Sequence, residues 1–183
     1  MTENRGQSAE RQRTHSWEDP RAVAAWADGR SGLEILSAVV EGAIAPPPFA
    51  GMLGVDLISV SEGSATFALT PAEHHYNTLG TVHGGVLSTL LDSAAGCAVH
   101  TMLPPGDAYT SLDLTVKFLR PVSLLTGRLT CTGSVEHLGR RTALARAAIT
   151  DTQGQLVATA LSSCLIMREQ KPGPGLRGGP PNP

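Results

Sequence analysis

The sequence predicts an α+β domain in which one long helix packs on a single antiparallel sheet. Three observations carry this. Two short strand-like runs, residues 53–60 and 64–70, are separated only by Ser61-Glu62-Gly63, a hairpin connection. The period then changes to a helical one over residues 83–102, with Leu87, Leu90, Leu91, Ala94 and Ala98 on one face. Four further strand-like segments follow, the last three joined by Leu138-Gly139-Arg140 and Thr152-Gln153-Gly154, connections short enough to demand antiparallel neighbours. The order is β-β-α-β-β-β-β.

Around this body the chain divides by composition. Residues 1–16 are polar and aperiodic and are expected to be disordered. Residues 17–50 form a helical extension, in which Leu33, Leu36, Val40 and Ile44 recur at helical spacing over 31–45 until Pro46-Pro47-Pro48 stops the helix. The folded body spans 51–167, and 168–183 is a Pro/Gly-rich flexible tail. In the body, residues 109–119 alternate: Leu112, Leu114, Val116 and Phe118 face one way, Ser111, Asp113, Thr115 and Lys117 the other.

With 183 residues, 41% hydrophobic and 16% charged, the chain supports one core but is poor in charge. An assembly that hides surface explains the shortage. A net charge of −2 excludes a nucleic-acid binder working through bulk positive charge. No apolar run is long enough to cross a membrane. The polar N-terminus does not read as a secretory signal, and Cys97, Cys131 and Cys164, widely spaced and odd in number, read as buried free thiols in a cytoplasmic protein.

The central helix is the most informative segment. Between residues 74 and 106 the only formal charge is Asp92, which a helical wheel places near Ser88, Gly85 and Val99, away from the Leu87/Leu91/Ala94 stripe. A helix with no charged outer side is covered on more than one face. Its approach, His74 to Gly85, brings two glycines to the helix start, where bare N–H groups at the positive end of the dipole suit a developing oxyanion. A carbonyl polarised at Gly84 and a water held by Asp92 together make a hydrolytic site, with Asn77 and His83 as further donors. The same residues also fit a tight turn at Gly84-Gly85 and an ordinary surface carboxylate. His74 and His75, adjacent on an extended segment, point oppositely and do not share an ion, so no metal is expected. No serine sits in a G-x-S-x-G elbow.

The run Asn77-x-x-Gly80-Thr81-x-His83-Gly84-Gly85, followed by Leu90-Leu91-Asp92, resembles the signature of hotdog-fold thioesterases of the phenylacetate-pathway type, a group that includes mammalian thioesterase superfamily member 2. The resemblance covers residues 49–167. It implies a hotdog fold and an acyl-CoA thioesterase, with coenzyme A as part of the substrate and no cofactor. It implies that Asp92 is the catalytic general base or nucleophile, that the Gly84 N–H is the oxyanion donor, and that Asn77 and His83 support them. It also implies that Ser111 reaches the site from a partner subunit. Gly85, Arg120, Pro121, Gly139, Arg140, Arg141 and Thr142 match positions that meet coenzyme A, a local matter since residues 51–167 hold six Lys/Arg against eight Asp/Glu. Family members form homodimers with joined sheets, and dimers of dimers. The alternatives are another hotdog acyl-thioester enzyme, a hydratase or dehydratase, and a non-catalytic acyl-CoA-binding module.

Overall fold

A computed structural model describes residues 10–169; the expected disorder of residues 1–9 and most of the expected tail lie outside that range. Three short helices lead in: α1 (Pro20–Ala27), α2 (Gly32–Val40) and α3 (Pro48–Leu53). The hairpin β1 (Val55–Ser61) and β2 (Ser64–Leu69) follows, then the long helix α4 (Gly84–His100). The chain ends in β3 (Ala108–Phe118), β4 (Leu129–Leu138), β5 (Thr142–Thr150) and β6 (Leu156–Met167). All six strands make one antiparallel sheet in the order β1-β2-β4-β5-β6-β3. No described helix is long and apolar enough to cross a membrane.

The sheet wraps α4. Leu87, Leu90, Leu91, Ala94, Ala95, Ala98 and Val99 are all buried, including Val99, which lies on Asp92's side of the helix. At the Val99 end this covers the face on Asp92's side, while Gly85 is exposed and Ser88, Thr89 and Asp92 are half-buried within the protomer. On β5 and β6 the inner surface is rich in small residues (Ala143, Ala145, Ala147, Ala158 and Ala160), so the helix backbone comes close there. At Gly133 it comes closest: a Cβ there would overlap the Ala94 carbonyl oxygen. The helix ends at Thr101, whose hydroxyl donates to the Ala98 carbonyl (2.6 Å) and accepts from the Gly63 N–H of the β1–β2 turn (2.8 Å).

Two local readings of the sequence are corrected. The second helix stops at Val40, before the prolines. Gly42 takes φ +71°, with its N–H on the Val39 carbonyl (3.1 Å) and the Ala43 N–H on the Ala38 carbonyl (2.8 Å), a Schellman stop. Ile44 therefore lies beyond the helix. The prolines begin α3 instead, Pro48 occupying the first helical position, where a missing N–H costs nothing.

The alternation of β3 is also broken. Ser111 pairs with Cys164 but Asp113 pairs with Ser163, leaving Leu112 as a bulge. The Ser162 hydroxyl donates to the Asp113 carbonyl (2.9 Å), and the Ser163 N–H donates to the Asp113 carboxylate (3.1 Å). The bulge shifts the period by one, so Leu112 is exposed while Ser111 turns to the helix side with Leu114 and Val116.

Because the helix backbone fills the space a side chain at 133 would need, Gly133→Ala is expected to lower unfolding free energy by about 2 kcal/mol or more, measured by urea denaturation.

Candidate active site

Asp92 sits midway along α4, and its carboxylate accepts a hydrogen bond from the Ser111 hydroxyl at 2.8 Å. Both residues belong to the same chain. The expectation that Ser111 arrives from a partner subunit is thus corrected: the Leu112 bulge aims it inward within one protomer. Asp92 and Ser111 line a cavity of about 530 Å³. Thr89 and Ser93 add hydroxyls beside Asp92, Asp56 of β1 is a second carboxylate, and the rest is mostly apolar.

Cys97 and Tyr109 border the same space. Gly96 makes room for the tyrosine ring, since a Cβ there would lie 2.8 Å from it. Burial pushes the Cys97 thiol up to about 12, with the nearby Asp92 charge acting in the same direction. Burial raises the Tyr109 hydroxyl as well, and the Cys164 thiol. A thiol so raised is neutral near pH 7, so Cys97 is no nucleophile.

The helix start is a separate structure. His83 is the N-cap of α4, its Nδ1 accepting the Gly85 N–H at 2.8 Å. Gly85 is thereby occupied, while the Gly84 N–H meets no acceptor among the described residues. Asn77 folds its side chain into its own loop: its Oδ1 accepts from the Leu79 N–H (2.8 Å) and its Nδ2 donates to the Thr81 hydroxyl (3.1 Å). The loop is fixed to the body by the Val82 N–H on the Val122 carbonyl (2.8 Å) and the His83 N–H on the His75 carbonyl (2.7 Å).

Gly84 opens on its own groove of about 370 Å³, shared with Thr81, Phe118, Arg120 and Pro121. A Cβ at Gly84 would lie 3.1 Å from the Phe118 ring. Gly139, Arg140, Arg141 and Thr142 lie at the far end of the sheet: Thr142 is level with Leu165, which pairs with Thr110, whereas Arg120 follows the other end of β3. A strand of this length separates the two basic groups by roughly 30 Å. Among the described residues none of Arg120, Arg140 and Arg141 forms an ion pair.

Gly84 and Asp92 are also apart. Eight residues of helix are about 12 Å of axial rise, and the Gly84 N–H points out of the helix start, away from Asp92. One protomer does not bring them to a single carbonyl. His74 and His75 differ too. They sit on a 3-10 turn with ring centroids 4.1 Å apart, and His75 is buried, accepting the Ala72 N–H (3.1 Å) and donating to the Leu53 carbonyl (2.8 Å). Among the described residues no group of three or more His, Cys, Asp or Glu is placed to hold a metal ion.

Residues 79–158 match the family model described as thioesterase superfamily. The acyl-coenzyme A thioesterase PaaI of Escherichia coli (strain K12) is 34% identical over 106 residues, which span 58% of this chain and 73% of that protein. The chain belongs to the thioesterase superfamily. It is a PaaI-like hotdog thioesterase, a thioester hydrolase by family. A 1,4-dihydroxy-2-naphthoyl-CoA hydrolase of Listeria monocytogenes is 28% identical over 119 residues, 65% of this chain and 94% of that one. The solved structure of the E. coli PaaI protein superimposes with a TM-score of 0.66 at 28% identity, covering 76% of this chain and 98% of that one. A phenylacetic acid degradation-related protein from Ralstonia eutropha gives 0.64 at 30% identity, covering 71% and 98%.

The hotdog core holds the protons of Cys97 and Cys131, both about 12, more tightly than an unfolded chain with thiols near 9.0. The resulting stability is fully present below pH 9.0 and is lost as pH rises toward 12. Urea unfolding of Cys97→Ser is expected to show a slope shallower by about 1.4 kcal/mol per pH unit over that interval.

Proposed function

We propose that this thioesterase hydrolyses acyl-CoA esters as a homodimer, each site combining Asp92 and Ser111 of one protomer with the Gly84 N–H of its partner. The observation that carries this reading is the Asp92 carboxylate, anchored by Ser111 at 2.8 Å on the wall of a largely apolar cavity. The relatives named for acyl-CoA and naphthoyl-CoA hydrolysis support the substrate class.

The chemistry follows from the placement. Asp92, with one oxygen held by Ser111, takes a proton from a water whose oxygen adds to the carbonyl carbon. Alternatively it attacks that carbon itself to give a mixed anhydride, which a water then hydrolyses to the free acid and the restored carboxylate. The carbonyl oxygen gathers negative charge as the tetrahedral intermediate forms, and an unshared N–H at a helix start is a fitting donor for it. The C–S bond then breaks, and coenzyme A leaves as a thiolate that takes up a proton. His83 holds the Gly84-Gly85 turn in shape, and Asn77 holds the loop before it. Arg120 and Pro121, bordering the Gly84 groove, and Gly139 to Thr142 at the other sheet end are the coenzyme A contacts in this reading, the free guanidinium groups suiting its phosphates.

Dimerisation resolves the separation of Gly84 and Asp92. β3, one of the two edge strands of the sheet with β1 and the one that carries Ser111, is the strand taken to join a second sheet in this reading. Exposed Leu144 and Leu161 on the outer face favour a dimer of dimers, and three unpaired cysteines fit a cytoplasmic location.

The experiment uses two silent partners. Asp92→Asn removes the base and is expected to lower kcat by about 10² to 10⁴. Gly84→Pro removes the N–H at a position where proline is tolerated, and His83, at ψ 135°, already has the backbone a residue before proline adopts. Each variant alone releases little thiol. Mixed and allowed to exchange subunits, they are expected to recover about a quarter of wild-type turnover, since half the sites of a mixed dimer are intact. Full turnover by Asp92→Asn removes the assigned role; absence of recovery on mixing removes the shared site.

A further inference from the structure

We infer that the segment from α2 through α3 is the acyl-selecting wall of this site, sized for an uncharged hydrocarbon acyl group and set against acyl groups ending in a carboxylate. The inference rests on the thioesterase reading above.

The cavity at Asp92 has a polar side and an apolar roof. The roof comes from Leu36 and Val39 of α2, the Pro46-Pro47 link, and Phe49 and Ala50 of α3. All of it precedes residues 79–158, where the family model matches.

The roof is fixed rather than swinging. A capping box opens α2, with the Ser31 N–H on Glu34 Oε2 (2.7 Å) and the Glu34 N–H on Ser31 Oγ (3.3 Å). The Gly32 N–H donates to the Leu103 carbonyl (3.0 Å), and a Cβ at Gly32 would overlap the His100 carbonyl, so α2 is seated on the end of α4. From the other side the Arg13 guanidinium donates to the Gly51 and Met52 carbonyls, each at 3.0 Å. A wall held at both ends discriminates by size, because an overfilled site has nowhere to yield.

Charge adds a second filter. Asp56 and Asp92 both border the cavity, and its lining holds no lysine or arginine. Among this protomer's lining residues a carboxylate on the acyl group meets like charge and no counter-ion, while a hydrocarbon chain or an aromatic ring meets the apolar roof.

The test measures thiol release by the full chain from acetyl-, hexanoyl-, decanoyl-, benzoyl- and succinyl-CoA, together with the Kd of a non-hydrolysable decyl-CoA thioether. Val39→Phe and Ala50→Leu narrow the space; Phe49→Ala, at a position 36% exposed, widens it with little demand on folding. The narrowing variants are expected to lower the decanoyl-to-acetyl ratio of kcat/KM by about tenfold or more and to weaken thioether binding in step; Phe49→Ala moves the preference toward longer chains. Succinyl-CoA falls below hexanoyl-CoA throughout, and the benzoyl arm separates an aryl from a straight-chain preference. Unchanged chain-length order and unchanged thioether affinity in all three variants overturn the inference, as does succinyl-CoA hydrolysis matching that of hexanoyl-CoA. If no ester is cleaved by the unaltered chain while thioether binding still tracks the substitutions, the proposed activity fails and the wall stands.

Discussion

The carbonyl oxygen of Ala94 occupies the place where a side chain at position 133 would stand, and the geometry of the molecule follows from that approach. The alanines of β5 and β6 keep their part of the inner surface low enough for α4 to lie along it. A helix held so near leaves no slack in rotation. Asp92 therefore emerges at one fixed angle, toward the sheet edge carrying Ser111, and the helix start is presented at the opposite end. Larger residues on the sheet would lift the helix and uncouple its carboxylate from the strand hydroxyl.

Much of this architecture is legible in the sequence because its signals are local. The hairpin turn at Glu62-Gly63, the stripe of Leu87, Leu91 and Ala94, and the short connections after β4 and β5 each depend on a few neighbouring residues. The absence of charge around Asp92 is equally readable, since a solvated helix face needs charged side chains. Family membership follows from the same stretch.

What could not be read depends on register or on distant contact. The Leu112 bulge leaves no mark in the pattern, because Leu112, Leu114, Val116 and Phe118 alternate cleanly on paper; only the pairing with β6 shows that Ser111 and Leu114 share a face. Pro46 to Pro48 offered a strong stop signal, but Gly42 acts first. Thr89 and Ser93, four apart and flanking Asp92, were within reach of a helical wheel. Asp56 and Tyr109 were not, since nothing local brings their strands to the cavity. The distance between Gly84 and Asp92 follows from helix geometry alone.

The Schellman stop at Gly42 leaves residues 43–47 as a short span between two anchored pieces, α2 on the end of α4 and α3 leading into β1. Lengthening or shortening that span changes the room beneath the roof without touching the sheet, the central helix or the carboxylate. In the proposed reading, the roof's share of the cavity is set upstream of the stretch that carries Asp92 and Ser111. Revising a handful of residues in that upstream span would then retune the acyl preference while leaving the carboxylate and its strand hydroxyl in place.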